Sequence, residues 1–449
     1  MATPTDAIPT LALQVLHNYE LQSSPAPIQT YTSVITSLFS RPSSLARAQA
    51  WDLFSHMRYA AHSQPDVLLY TLMIRACASP VSSARSSEPE RALDLWTEMT
   101  VDHRIMPTAG AYNAVILACA KSGLRRYVAE AFRLAKEMLD SHRDAEGRTA
   151  FRPDRKTFCA LLEGAKRVGD LARARWILAE MVRGVGPDGY SLVNEVDLSI
   201  NEEVMMHVFH AYAAYDPPFV RSIAPLAKTA PEGSSDATEA ESSGLPISED
   251  IYPSFTHIPP QSRQEVIHEA RTLFHRILAE VEGKRDTTLP SEYKFQHVTL
   301  TTRLLNSYLS IFFRHSSLEE SRDMFWKLYD ELGIERSPRT YVEALERCGR
   351  TRKGRERPIA TQFAEELWER WQVIEQSKQD CSLPLSPRFI ERAHTAMIRT
   401  LALQVHLFLG GRSLANNKNV TEQVTLTKAW LIFASSSVDI RPRLSASPR

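Results

Sequence analysis

Glycine is scarce in this chain, 16 of 449 residues, and no stretch approaches about eighteen consecutive apolar residues. The first absence favours regular helices over tight turns, and the second gives no sign of a membrane-spanning helix. Cysteine is sparse too. Cys77, Cys119, Cys159, Cys348 and Cys381 form no C-x-x-C pair and are odd in number, which argues against a disulfide framework and against a zinc site. Phosphate-cradling G-x-x-x-x-G-K-S/T, the H-E-x-x-H of zinc proteases and an H-x-E with a downstream C-x-x-C are all missing. His207 reads as a packed or solvated helix residue, and Glu202-Glu203 and Glu365-Glu366 read as solvated helix faces. No catalytic residue, metal ligand, cofactor or small-molecule substrate is expected.

A net charge of zero hides an uneven distribution. Residues 28–188 carry 22 Lys and Arg against 17 Asp and Glu, residues 189–260 carry 2 against 11, and residues 261–449 carry 29 against 23. Two mildly basic blocks therefore flank an acidic connector. Such a surplus permits a polyanionic partner without demanding one.

Proline, at 26 residues, marks a repeat. Helix-patterned segments end in a Met, pass through a Pro and restart at an aromatic residue. Met57 leads to Pro65-Asp66 and Tyr70; Met99 to Pro107-Thr108 and Tyr112; Met138 to Pro153-Asp154 and Phe158; Met181 to Pro187-Asp188. The aromatic starts, counted from Tyr31, are 39, 42 and 46 residues apart. Each unit holds two amphipathic helices, for example Tyr112, Val115, Ile116 and Cys119 followed by Ala131, Phe132 and Met138. A single hairpin of this kind leaves apolar surface uncovered, so hairpins must stack. Small residues at the centre of each second helix (Ala50, Ala92, Ala131, Ala174) predict close helix approach. Residues 1–27 form an N-terminal segment, 28–216 the clear repeat array, and 217–260 a disordered acidic insertion lacking apolar periodicity. Degenerate helical units fill 261–436, and 437–449 is a loose tail.

The pieces Thr30-Tyr31-Thr32-Ser33-Val34-Ile35, Tyr112-Asn113-Ala114-Val115-Ile116 with Lys121-Ser122-Gly123, and Phe151-Arg152-Pro153-Asp154 resemble pentatricopeptide repeats, of the divergent fungal and animal mitochondrial type. Spacings longer than that family's own period place insertions inside the units. The resemblance implies an all-α, right-handed α-solenoid of stacked antiparallel hairpins, a superhelix like that of tetratricopeptide repeats. It implies a non-catalytic binder of single-stranded or structured mitochondrial RNA in the matrix, acting in RNA processing, stability or translation, including on small-subunit ribosomal RNA. Mitoribosomal proteins are the alternative partners, with the solenoid a protein-binding scaffold or peripheral ribosome subunit. A mitochondrial presequence would be rich in Arg and poor in acids. Here no Lys or Arg precedes Arg41, so either that signal lies outside this chain or import uses another.

In the family each repeat reads a base with the residue after its Tyr and the residue closing the repeat. The resemblance maps these pairs onto Thr32 with Asp66, Thr71 with Thr108, Asn113 with Asp154, and Cys159 with Asp188. Thr with Asp implies guanine and Asn with Asp implies uracil, whereas Cys159 suits neither. The family's base-sandwiching valine is replaced by Gln29, Leu68, Gly110 and Lys156. A separate basic run, Arg347 to Arg357, offers Arg350, Arg352, Lys353 and Arg355 as phosphate contacts.

Overall fold

Proline lacks an N–H and clashes with a preceding helical turn, so it stops one helix, and the short polar residue after it caps the next. The computed structural model shows this cap at successive helices. Asp66 accepts from Leu69 N at 2.8 Å, Thr108 from Ala111 N at 3.2 Å, and Asp154 from Thr157 N at 2.8 Å. Asn201, Thr301 and Ser337 do the same for Val204, Leu304 and Thr340. Described are residues 10–410, except 23, 42, 80–86, 141–150, 152, 184–197, 220–257, 284–293, 352–353 and 380–384. Most of the acidic insertion, Asp188 and the C-terminal tail thus lie outside the described residues.

Among them are sixteen α-helices. They are α1 (Thr10–Leu21), α2 (Ile28–Phe39), α3 (Ser44–Ala60), α4 (Val67–Cys77), α5 (Pro89–Thr97, prolonged by a π turn over Glu98–Asp102), α6 (Ala109–Ala120), α7 (Arg125–Asp140) and α8 (Arg155–Val168). Then follow α9 (Leu171–Arg183), α10 (Glu202–Ala214), α11 (Arg263–Gly283), α12 (Thr302–His315), α13 (Leu318–Leu332), α14 (Pro338–Arg350), α15 (Glu356–Gln379) and α16 (Pro387–Gly410). Two isolated β-bridges, Asn201 with His297 and Phe219 with Ser262, are the extended pairings found among the described residues. None of these helices is long and apolar enough to cross a membrane.

The chain divides into two compact units. One comprises Met1–Asp216, Pro253–Pro259 and Ala279–Val298; the other comprises Pro217–Tyr252, Pro260–Leu278 and Thr299–Arg449. In the first, α2/α3, α4/α5, α6/α7 and α8/α9 are hairpins, and the first helices lie side by side in the order α2, α4, α6, α8, α10. Tyr31, Tyr70 and Tyr112 are completely or almost completely buried between them. Each such ring removed from water contributes about 2 kcal/mol. Their hydroxyls are satisfied: Tyr31 donates to Glu20 Oε1 and Tyr70 to Glu98 Oε1, both at 2.6 Å, and Tyr112 bonds Glu137. Ala50, Ala92, Ala131 and Ala174 are buried on second helices that pack against the first helices. Helix α8 ends at Gly169, whose φ of +69° is the left-handed region, and a Cβ there would lie 2.8 Å from Ala214 O. The apolar run near the N-terminus is a helix, α1, that buries Leu16 against α2.

In the second unit α12/α13 and α14/α15 are hairpins, with α14 beside α12 and α16. Phe274 of α11 stacks on Tyr308 of α12 at 4.1 Å between centroids, and Phe312, Phe325, Phe363 and Trp371 complete an aromatic core. Both flanks of the acidic insertion meet here, Phe219 N donating to Gln261 O at 3.0 Å.

Candidate functional site

Helix caps set a common register. Five residues beyond each cap lie Thr32 (α2), Thr71 (α4), Asn113 (α6) and Cys159 (α8), and likewise Met206 (α10), Asn306 (α12) and Val342 (α14). At two boundaries, α6–α8 and α12–α14, this position faces the cap of the next first helix. There the capping residue has two tasks, capping a helix and standing beside the preceding repeat's register residue.

The α6–α8 boundary shows the arrangement most completely. Asn113 Nδ2 donates to Asp154 Oδ1 at 3.1 Å, and Asn113 Oδ1 accepts from Thr157 Oγ1 at 2.6 Å. Thr157 in turn accepts from Asp154 N at 3.2 Å, closing a capping box. A carboxylate only accepts, so the amide nitrogen must face Asp154 and the flip of Asn113 is settled by chemistry. One Nδ2 proton and one Oδ1 lone pair stay available, on a half-buried side chain.

An equivalent constellation occurs in the second unit, where the Tyr-Asn and Pro-Asp motifs are absent. Asn306 Nδ2 lies 3.5 Å from Ser337 Oγ, and its Oδ1 accepts from Thr340 Oγ1 at 2.8 Å and Tyr329 OH at 2.6 Å. Asn306, Ser337 and Thr340 therefore match Asn113, Asp154 and Thr157. Sequence reasoning missed them because Leu305 replaces the aromatic and Pro338 follows rather than precedes the cap. The spacing from cap Thr301 to Asn306 was the available signal. Asn306 is 6% exposed, so its amide is more enclosed than that of Asn113.

The threonines differ. Thr32 Oγ1 donates to Ile28 O at 3.1 Å and Thr71 Oγ1 to Val67 O at 2.7 Å, so each spends its single proton on its own helix and keeps only acceptor capacity, Thr32 on a buried side chain and Thr71 on a half-buried one. Asp66 is half-buried and Thr108 exposed, both engaged as caps. By the same register Asn201, the cap of α10, stands where the sequence suggested Asp188, which is outside the described residues. Gln29, Leu68, Gly110 and Lys156 are all exposed on the first turns of their helices.

The basic run separates into two kinds of residue. Arg355 is exposed, and exposed Arg350 lies 3.7 Å from Glu346; Arg352 and Lys353 lie outside the described residues. Arg357 is buried, donates Nη1 to Thr351 O at 3.1 Å, and has its pKa lowered by desolvation. Arg347 also turns inward, to Thr351 Oγ1 at 3.0 Å.

Between α8 and α10 lies a buried polar group. Glu163 bonds Lys166 at 2.5 Å and Arg167 at 2.6 Å, and its Oε2 is 3.4 Å from His207 Nδ1. Burial pushes this carboxyl up, but the neighbouring cations outweigh burial and hold it at about 2. Desolvation, helped by Lys166, drops His207 to about 4, and burial raises the Cys159 thiol to about 12.

No protein-family model matches the chain. Over 295 residues it is 23% identical to the mitochondrial 15S rRNA processing factor ppr3 of Schizosaccharomyces japonicus (strain yFS275 / FY16936), a match covering 63% of this chain. That match spans 36% of the relative's length. Among solved structures the chain is similar to the pentatricopeptide repeat protein PPR10 in complex with an 18-nt psaJ RNA element. There the identity is 12% and the TM-score 0.39, over 96% of this chain and 53% of that one. A cysteine-to-serine variant of PPR10 with the same RNA element gives the same values.

Proposed function

We propose that the chain is a helical-repeat protein of the pentatricopeptide-repeat type that binds RNA non-catalytically in mitochondrial RNA processing. The observation that carries this reading is the Asn113 amide, locked between Asp154 and Thr157 with one donor and one acceptor left over. A splayed uracil presents the complement, an N3–H donor beside carbonyl acceptors. Bases held in this way must be single-stranded, since paired bases hide those edges.

Small-subunit ribosomal RNA is the substrate we favour, because the chain is similar to a mitochondrial 15S rRNA processing factor. Asn306 with Ser337 would be a second reading position, and Thr32 and Thr71 would accept from base donors. Arg350 and Arg355 would meet phosphates. Crosslinking the tagged protein in cells and sequencing attached RNA tests the proposal. Recovery of mitochondrial ribosomal RNA, at a site lost in an Asn113→Ala, Asp154→Ala double variant, is expected. Salt-insensitive capture of ribosomal proteins with no crosslinked RNA would favour the scaffold reading.

A further inference from the structure

We propose that Cys159, Glu203 and His207 form a zinc-binding site that ties α8 to α10. One ligand atom from each residue, a thiol sulfur, a carboxylate oxygen and an imidazole nitrogen, lies within 4.8 Å of the others. A tetrahedral zinc centre needs donors about 3.3–3.6 Å apart, given metal–ligand bonds of about 2.0–2.3 Å. Side-chain adjustments of about 1 Å close that gap, and the exposed Glu203 is free to make them. Glu203 and His207 are four residues apart on α10, so they share one helix face, and Cys159 meets that face from α8. The sequence spacing conceals the group, since it joins residues from two repeats.

An independent observation points to a ligand. His207 Nδ1 is buried and makes no hydrogen bond, although Glu163 Oε2 stands 3.4 Å away. Metal on Nε2 would place a proton on Nδ1 and draw it to Glu163, the carboxylate–histidine–metal pattern in which an outer carboxylate orients the ring. Glu163 itself is occupied by Lys166 and Arg167. Binding exchanges the thiol proton for the S–Zn bond and releases that proton to water; the exposed Glu203 side leaves a fourth position for a water molecule. Cys159 occupies the register place held by Thr32, Thr71, Asn113 and Asn306 in other repeats, so this repeat would hold a metal clamp in place of a base contact. The inference stands on this geometry and does not depend on RNA binding.

The test uses the full chain, stripped with a chelator and titrated with Co²⁺ and then Zn²⁺. One Co²⁺ per chain, a thiolate-to-cobalt charge-transfer band, and displacement by Zn²⁺ are expected. Cys159→Ser should abolish the band, and Cys381→Ser should leave it. Glu203→Ala, at an exposed side chain that cannot disturb the core, should weaken binding about tenfold or more. Zinc should raise the melting temperature of the parent chain and not that of Cys159→Ser. Absence of the band in the parent chain, or its survival in Cys159→Ser, would overturn the proposal.

Discussion

Asn113 and Asp154, 41 residues apart in sequence, meet side chain to side chain at 3.1 Å across the α6–α8 boundary. Asp154 is at once the cap of α8 and the anchor of the Asn113 amide, so its two roles can be separated by substitution. Asp154→Ala should cost about 1 kcal/mol of stability through loss of the cap, while Asp154→Asn keeps a capping oxygen and costs less. Asn113→Ala should leave stability within about 0.5 kcal/mol and weaken RNA binding by about 1 kcal/mol, roughly fivefold. Urea unfolding beside a filter-binding titration checks both.

Thr157 tests orientation rather than contact. Its hydroxyl holds the Oδ1 side of the amide, and it is fully buried, so Thr157→Val fits the same space. With that bond gone, the amide loses one of its two anchors. Discrimination between RNAs that differ at one base should fall by more than overall affinity does. Equal losses for matched and mismatched RNA would show that Thr157 merely supports the fold.

Gly169 is the helix end that no side chain suits. Its positive φ and the 2.8 Å approach of Ala214 O predict that Gly169→Ala costs about 1–3 kcal/mol, read as a lower urea midpoint. RNA contacts at Asn113 should persist below that midpoint, because Gly169 closes the far end of α8.

Of the basic run, the exposed arginines should act on RNA and the buried one on folding. Replacing Arg350 and Arg355 with Ala should reduce the slope of log affinity against log salt by about 1.4, about 0.7 for each phosphate contact. Arg357→Ala should lower stability, since that guanidinium fills buried space beside Thr351 O. An unchanged salt slope in the exposed double variant would remove this loop from the RNA path.

Local signals were legible and tertiary ones were not. The spacing of Tyr112, Val115, Ile116 and Cys119 announced a buried helix face, and all four are buried. Asn113 and Asp154 were readable because each follows a local mark, an aromatic residue or a proline. Asn306 and Ser337 keep the same geometry with those marks gone, since the helix cap alone preserves the register. In sequence Arg357 is simply the end of a basic run, because an arginine's burial is decided by the helices packed over it. The group at Cys159, Glu203 and His207 was hidden for the same reason, and sequence reading had set His207 aside as packed or solvated.

The measurement that tests the account most directly is a base-swap titration at the α6–α8 boundary. The purified chain and its Asn113→Thr variant are titrated with short single-stranded RNAs that differ only at the nucleotide facing this pair. The repeat pattern predicts that the parent prefers uracil there and that Asn113→Thr, with Asp154 retained, shifts the preference to guanine. An unchanged preference, or an equal loss of affinity for all four bases, would contradict the claim that this row of register residues reads RNA.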